Sequence, residues 1–142
     1  IDRLDMSGGK IRVIDYKTGS RQQKELKSTD DIFDASKIES HTDYYLQTLL
    51  YAVIIAADKS ITPMSLPVTP QLFFVQKMSS RDFSPSLVIN GAAIDDARDI
   101  AKEYIEGLQR LLADILNPEL PFAPTSRTAT CLTCPLSQIC RT

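Results

Sequence analysis

The sequence predicts a mixed fold, α/β or α+β, in which one buried helix packs against a small β-sheet. Its 142 residues and hydrophobic fraction of 43% are typical of a single domain with a real core. Two short strands around a Gly-Gly pair, one long apolar helical stretch, and a second strand pair before a second helix give the order β-β-α-β-β-α. These elements are predicted, in chain order, at 1–5, 11–17, 41–57, 71–77, 86–89 and 91–116.

The first two strands are predicted to form a hairpin, because Gly8-Gly9 is a strong turn signal between them. Alternate side chains of a strand share a face, so Asp15 and Lys17 stand side by side. Folding the hairpin about its glycines brings Asp2 level with Asp15, and carboxylates that close repel unless a cation lies between them. For the acid and lysine alone, the alternative is a surface ion pair at a sheet edge, which contributes little.

The segment 18–40 is polar and aperiodic. A loop of this length is usually either functional or disordered, and here we expect disorder. The helix at 41–57 is apolar almost all round, as a buried helix should be, with Ser40 or Thr42 as its N-cap. A proline-punctuated connector then leads to the strand at 71–77.

The last helix is expected to open at Asn90-Gly91 and to end at Asn117-Pro118. Apolar residues recur between these points at helical spacing. Asp95 and Asp96 would then lie in its first turns, where the helix dipole favours negative charge.

Composition excludes several classes of function. The formal net charge is −2, so any contact with nucleic acid must be local or supplied by a partner. No segment has the roughly 20 consecutive apolar residues of a membrane span. The chain begins inside a predicted strand without an initial Met, from which we expect N-terminal elements to be missing.

All three cysteines of the chain, Cys131, Cys134 and Cys140, lie close to its C-terminal end. An odd, clustered set argues against a disulfide framework and for a metal site in a reducing compartment, which we take to be the cytoplasm.

Asp2, Asp15 and Lys17 together predict a phosphodiesterase site. Carboxylate oxygens suit Mg²⁺, which would lower the pKa of a bound water and stabilise charge on the phosphate. Lys17 would orient that water or stabilise the transition state.

Gln47 and Tyr51 are spaced i, i+4 and therefore share one face of the first helix. On so apolar a helix a buried Gln needs partners, and a phosphate or a metal-bound water would supply one. The alternative is a Gln bonded to nearby backbone beside a core Tyr. His41 is the one histidine of the chain, and we assign it no catalytic role. Catalysis by a Ser-His or Cys-His pair would need this residue and is therefore disfavoured.

Four stretches in this order, IDRLD, RVIDYKTG, LQTLLY and CLTCPLSQIC, resemble the RecB-like branch of the PD-(D/E)XK nucleases, above all the C-terminal nuclease domain of AddB-type helicase–nuclease subunits. The resemblance implies a restriction-endonuclease-like core and exonucleolytic DNA cleavage with Mg²⁺ or Mn²⁺ in double-strand-break repair and recombination. The implied metal ligands are Asp2, Asp15 and the backbone carbonyl of Tyr16. Lys17 matches the catalytic lysine, and the Q-x-x-x-Y motif falls on Gln47 and Tyr51.

The resemblance also implies a domain division and partners. Residues 1–124 would be the nuclease core, which in the family begins with an upstream helix that adds a His or Glu. Residues 125–142 would be a tail whose cysteines bind a [4Fe–4S] cluster in the full-length parent with a fourth, upstream cysteine. In this fragment we expect no cluster, and a tail that is poorly ordered or closed by a Cys131–Cys134 or Cys134–Cys140 disulfide. DNA and a helicase subunit, or a helicase domain of the same chain, are the implied partners.

Two other functions are compatible with the sequence. The first is a non-catalytic RecB-like module that binds DNA ends or docks onto a subunit, although the intact acid–lysine trio argues against it. The second is a zinc-binding interaction domain, which C-x₂-C-x₅-C without a fourth ligand supports poorly.

Overall fold

The computed structural model describes residues 1–19, 24–62, 66–121, 123, 131–132 and 134–140. The chain forms two compact units, Ile1–Leu111 and Leu112–Thr142. The first is a mixed α+β unit that confirms the predicted fold class and is consistent with a restriction-endonuclease-like core. The elements are β1 (Arg3–Ser7), β2 (Lys10–Lys17), α1 (Thr42–Ala57), β3 (Val68–Phe74), β4 (Val88–Ile89), β5 (Ala92–Ala93) and α2 (Ala101–Leu116).

The N-terminal hairpin confirms the first prediction. β1 and β2 pair antiparallel from Arg3 opposite Ile14 to Ser7 opposite Lys10. Gly8 and Gly9 have φ values of 61° and 73°, and a two-residue hairpin turn of type I′ requires positive φ at both positions. Glycine adopts this conformation without the steric cost that a Cβ would bring.

The main sheet has the strand order β1-β2-β3, with β2 and β3 parallel and α1 between them in the chain. β2 is thus the middle strand of this sheet. Its alternate residues, among them Ile11 and Val13, face the core, so one face of β2 lies against α1. The core is built from α1 and β3 as much as from β2: Tyr45, Leu49, Ala52, Val68, Leu72 and Phe74 are all buried in it.

β3 begins three residues earlier than predicted and ends at Phe74, and a 3-10 turn occupies Val75–Lys77. The surprise is Pro70, which lies inside a strand. Leu72 donates its N–H to Pro85 O, away from β2, and the nitrogen two residues earlier points the same way. Proline is tolerated there because it removes no bond of the β2–β3 ladder.

The prediction of disorder is wrong for residues 24–40, while 20–23 lie outside the described residues. Two 3-10 turns, Thr29–Phe33 and Ala35–Ser40, fold this segment. The Asp31 carboxylate organises it by accepting hydrogen bonds from Lys27 N at 2.9 Å, from Ser28 Oγ at 3.1 Å and from Lys37 Nζ.

The expected start of the last helix is also wrong. Asn90 and Gly91, with φ of 51° and 76°, form the turn between β4 and β5. α2 begins ten residues later and ends before Asn117-Pro118, as predicted. Asp95 pairs with a strand lysine, and Asp96 caps a 3-10 turn by accepting from Arg98 N at 3.1 Å, so neither lies in the first turn of α2.

α1 is held in the core by tyrosines from two directions. Tyr45 donates its hydroxyl proton to Val88 O at 2.8 Å, and Tyr104 of α2 donates to Leu46 O at 2.7 Å. Burial raises the pKa of Tyr104 to about 12. Among the helices of the described residues, none is long and apolar enough to cross a membrane.

Candidate active site

The C-terminal end of β2 carries the predicted acid and lysine. Lys17 Nζ lies 2.7 Å from Asp15 Oδ2, as expected for alternate residues of one strand. Asp15 is only 4% exposed. Its Oδ2 has no hydrogen-bond donor among the described residues, so the contact with Lys17 is an ion pair without hydrogen-bond geometry. Burying a carboxylate oxygen that accepts no hydrogen bond is costly, and the charge of the Lys17 ammonium offsets part of that cost.

Lys17 is fixed by two further contacts from α1. Its ammonium donates to Gln47 Oε1 at 2.8 Å and lies over the ring of Tyr44, 4.7 Å from the ring centroid. Only 18% of the Lys17 side chain is exposed. The ammonium therefore sits in a small polar pocket between the end of β2 and the first turns of α1.

Gln47 and Tyr51 lie on the side of α1 that faces Lys17. Gln47 Nε2 donates to Tyr51 Oη at 3.1 Å while the amide oxygen accepts from Lys17, so both ends of the amide are engaged. The expectation that Gln47 is buried is wrong, because its side chain is exposed. Its contacts therefore orient an accessible amide and do not merely satisfy a buried one.

Asp2 lies next to β2, where the pairing of Arg3 with Ile14 continues toward Asp2 and Asp15. Asp2 Oδ2 accepts the backbone N–H of Tyr16 at 2.7 Å. The carboxylate is exposed and held against the strand by this bond. Asp2 is thus held at the strand that carries Asp15 by a hydrogen bond from the backbone, and not by Lys17.

Asp5, the second acid of IDRLD, has a different environment. It lies opposite Arg12 in the hairpin and forms two hydrogen bonds with its guanidinium, of 2.7 and 2.8 Å. These bonds hold the pKa of Asp5 below its ordinary value. Because neighbours along a strand alternate in face, Asp5 lies on the face opposite to Asp2 and is already neutralised.

The donor set fits a magnesium or manganese ion. The described residues contain no group of three or more His, Cys, Asp or Glu side chains that could hold a metal. Mg²⁺ in phosphate-processing sites does not need one, since it is usually held by one or two carboxylates, water and the substrate phosphate. The Oδ2 of Asp15 accepts no hydrogen bond from the described residues, and this observation favours a metal ion in addition to the Lys17 ammonium.

Tyr44 and His41 are neighbours of this site that the sequence analysis did not assign to it. Their rings stack 4.8 Å apart at an interplanar angle of 13°. His41 also precedes α1 with a left-handed φ of 56° and no side-chain cap bond, so neither Ser40 nor Thr42 is the N-cap. Tyr44 precedes Gln47 by three residues and Tyr51 by seven, so all three share one face of α1. This spacing could have identified Tyr44 as a site residue.

The cysteines belong to the second unit. Cys131 and Cys134 are partly buried, Cys140 is exposed, and all are free thiols, so neither expected disulfide is present. The expected disorder falls largely on 125–130, which lie outside the described residues.

The end of β2 thus joins a buried acid and a lysine to a glutamine of α1. The chain belongs to the PD-(D/E)XK nuclease superfamily, whose family model matches residues 1–141. No curated protein and no solved structure gives a significant match. Membership supports a metal-dependent nuclease that uses Mg²⁺ or Mn²⁺, with DNA as the implied substrate.

Proposed function

We propose that this protein is an Mg²⁺-dependent deoxyribonuclease whose active site is built on Asp2, Asp15, Lys17, Gln47 and Tyr51. The observation that carries the proposal is a buried Asp15 oxygen that accepts no hydrogen bond from the described residues, although the Lys17 ammonium lies 2.7 Å away. An ordinary structural ion pair would have its carboxylate oxygens satisfied by donors, because an unsatisfied buried acceptor costs about 1–3 kcal/mol. A carboxylate whose oxygen also serves as a metal ligand explains this arrangement.

Each residue has a distinct role. Asp2, Asp15 and the Tyr16 carbonyl would hold the metal, which when bound lowers the pKa of a coordinated water and stabilises charge on the phosphate. Lys17 places a fixed positive charge where charge develops on the phosphate or the attacking water. The other two residues of the set act on Lys17: the amide of Gln47 holds the ammonium, and Tyr51 holds the amide.

The finer assignment rests on the order of the four motifs in the chain. Their likeness to AddB-type subunits supports exonucleolytic cleavage in a helicase–nuclease that acts in double-strand-break repair and recombination, in the cytoplasm. It also supports a nuclease core at 1–124, a cysteine tail at 125–142, and a [4Fe–4S] cluster held by the three cysteines when a fourth ligand is present. DNA and a helicase subunit or domain are the partners in this proposal.

Cleavage of end-labelled linear DNA with Mg²⁺ tests the activity. We expect Asp15→Asn and Lys17→Met to lower the rate at least about 100-fold, the usual loss when one electrostatic transition-state contact is removed. Asp2→Asn and Asp5→Asn form a matched pair, with Asp2 just before β1 and Asp5 within it. The first should abolish cleavage, and the second should retain it because Asp5 is bound by Arg12 on the other face.

Circular DNA separates the modes of cleavage, since an exonuclease degrades the linear form and spares the covalently closed one. Equal degradation of both forms would refute exonucleolytic action. If the folded protein binds DNA ends but shows no metal-dependent cleavage, the non-catalytic binding module is the better description.

A further inference from the structure

We infer that Tyr44 is a positioning residue for Lys17, and that its ring holds the ammonium in place independently of Asp15. This inference rests on the proposed nuclease function for its catalytic consequence, but the contact itself can be tested without any activity. The ring centroid of Tyr44 lies 4.7 Å from Lys17 Nζ, within the roughly 6 Å over which a ring face attracts a cation.

A lysine at the end of a strand needs such a support. Its side chain has four rotatable carbon–carbon bonds and loses considerable entropy when it is held in one position. The two polar partners of Lys17, Asp15 and Gln47, each face a second demand. Asp15 Oδ2 is the oxygen proposed to meet a cation, and the Gln47 amide is shared with Tyr51.

Among the described residues, the Tyr44 ring contacts Lys17, His41 and Phe74, and none of these contacts is shared with the proposed metal. A π-face accepts no metal, so its attraction for the ammonium persists whether Asp15 contacts Lys17 or a divalent ion. Tyr44 would therefore support the ammonium also when Asp15 binds a divalent ion.

Tyr44 is itself rigidly placed. His41 stacks on one side of the ring at 4.8 Å, and Phe74 lies against it at 6.0 Å with an interplanar angle of 53°. Phe74 is level with Lys17 in the pairing of β2 with β3, so the ring lies over the ends of both strands. The Tyr44 N–H donates to His41 O at 3.1 Å, which joins the two stacked residues through the backbone as well.

The direct test is an NMR measurement on protein with ¹³C-labelled lysine, with the Lys17 signal assigned by its loss in Lys17→Arg. Protons beside an aromatic face are shifted upfield, so the Lys17 ε-methylene should stand apart from the exposed lysines. We expect Tyr44→Phe to keep this shift and Tyr44→Leu to remove it. Phe33→Leu is the matched control, because that ring packs against Tyr104 at 5.7 Å and meets no cation.

Kinetics give the second arm. Tyr44→Leu should lower kcat roughly 3- to 30-fold, the range of a cation–π contact, with little change in KM for DNA. Tyr44→Phe should restore kcat, since the phenyl ring retains the π-face, and Phe33→Leu should leave kcat unchanged.

The outcomes separate the two claims. A wild-type Lys17 ε-methylene without an upfield shift, or one that Tyr44→Leu leaves in place, overturns the inference. A shift lost in Tyr44→Leu with an unchanged kcat overturns the catalytic part of it. If the wild-type protein cleaves no DNA while the shift behaves as expected, the proposed function fails and the positioning contact stands. If Tyr44→Leu fails to fold, the upfield shift of the Lys17 ε-methylene in the wild-type protein and its retention in Tyr44→Phe still decide whether the inference holds.

Discussion

Two ion pairs of equal length but unequal burial make a sharp test of the site's electrostatics. Lys17 lies 2.7 Å from Asp15 with side chains 18% and 6% exposed, and Lys10 lies 2.7 Å from Asp95 with side chains 39% and 73% exposed. Replacing each lysine by Met retains the length of the side chain and removes the charge. The two variants therefore differ mainly in the environment of the carboxylate left behind.

The expected losses follow from that environment. At 2.7 Å the attraction in the Lys17 pair is about 6 kcal/mol for an effective dielectric constant of about 20, before desolvation is subtracted. Breaking a buried pair on one side costs about 3–5 kcal/mol, and the partial exposure of Lys17 favours the lower end. We expect Lys17→Met to lower the free energy of unfolding by about 3 kcal/mol and Lys10→Met by less than about 1 kcal/mol.

Urea denaturation followed by circular dichroism measures both values, and the larger loss corresponds to a fall in Tm of roughly 10 °C. Adding Asp15→Asn to Lys17→Met should recover part of the stability, because the stranded charge is then gone, with a coupling energy of about 1–3 kcal/mol. Equal losses for the two lysines, or zero coupling in the double variant, would refute the buried pair. Because Asp15 is buried, we expect variants of this pair to change folding stability as well as activity.

Three other variants probe the surrounding framework. Gly9→Ala should cost about 1 kcal/mol because φ is 73° there, whereas Gly19→Ala, with no positive φ and open space around it, should be neutral in the same denaturation assay; equal costs would contradict the turn geometry. Gly107→Ala places a Cβ against the ring of Phe33 and should cost about 1–3 kcal/mol, and an unchanged Tm would show that the ring moves freely. Lys37 lowers the pKa of Asp31 from 3.8 to about 2, so Asp31 stabilises the fold above pH 3.8 and that stability is lost as the pH falls toward 2. Asp31→Asn should flatten this acid limb of an unfolding series, and an identical limb in both proteins would count against the network.

The parts of the fold that local sequence determines could be predicted. Gly8-Gly9 specifies a hairpin because few other residues accept positive φ at both positions, and counting residues from it gives the register in which Arg3 lies opposite Ile14. Helix α1 follows from its apolar content alone. The acid–lysine contact at the end of β2 follows from the alternation of side chains along a strand.

Other parts depend on contacts that the local pattern does not reveal. Asn90-Gly91 precedes an apolar pattern that has helical spacing, yet the pair forms a hairpin turn. The helix begins only at Ala101. The segment 24–40 is polar, but the burial of Leu26 and the hydrogen bonds of Asp31 order it. Both outcomes are tertiary effects that override a weak local signal.

The site shows the same limit. An i, i+4 spacing identified Gln47 and Tyr51, but the ring that contacts Lys17 belongs to Tyr44, whose sequence context is that of a core aromatic. Similarly, the local sequence does not distinguish the two acids of IDRLD, Asp2 and Asp5. Only the pairing register shows that Asp5 binds Arg12.

A crystal structure with Mn²⁺, whose anomalous scattering identifies the ion, tests the central claim most directly. The account predicts one peak at coordination distance, roughly 2 Å, from oxygens of both Asp2 and Asp15, with Lys17 still over the Tyr44 ring. The absence of a peak at saturating Mn²⁺, or a peak only at other carboxylates such as Asp95 and Asp96, would contradict a metal-dependent active site at the end of β2.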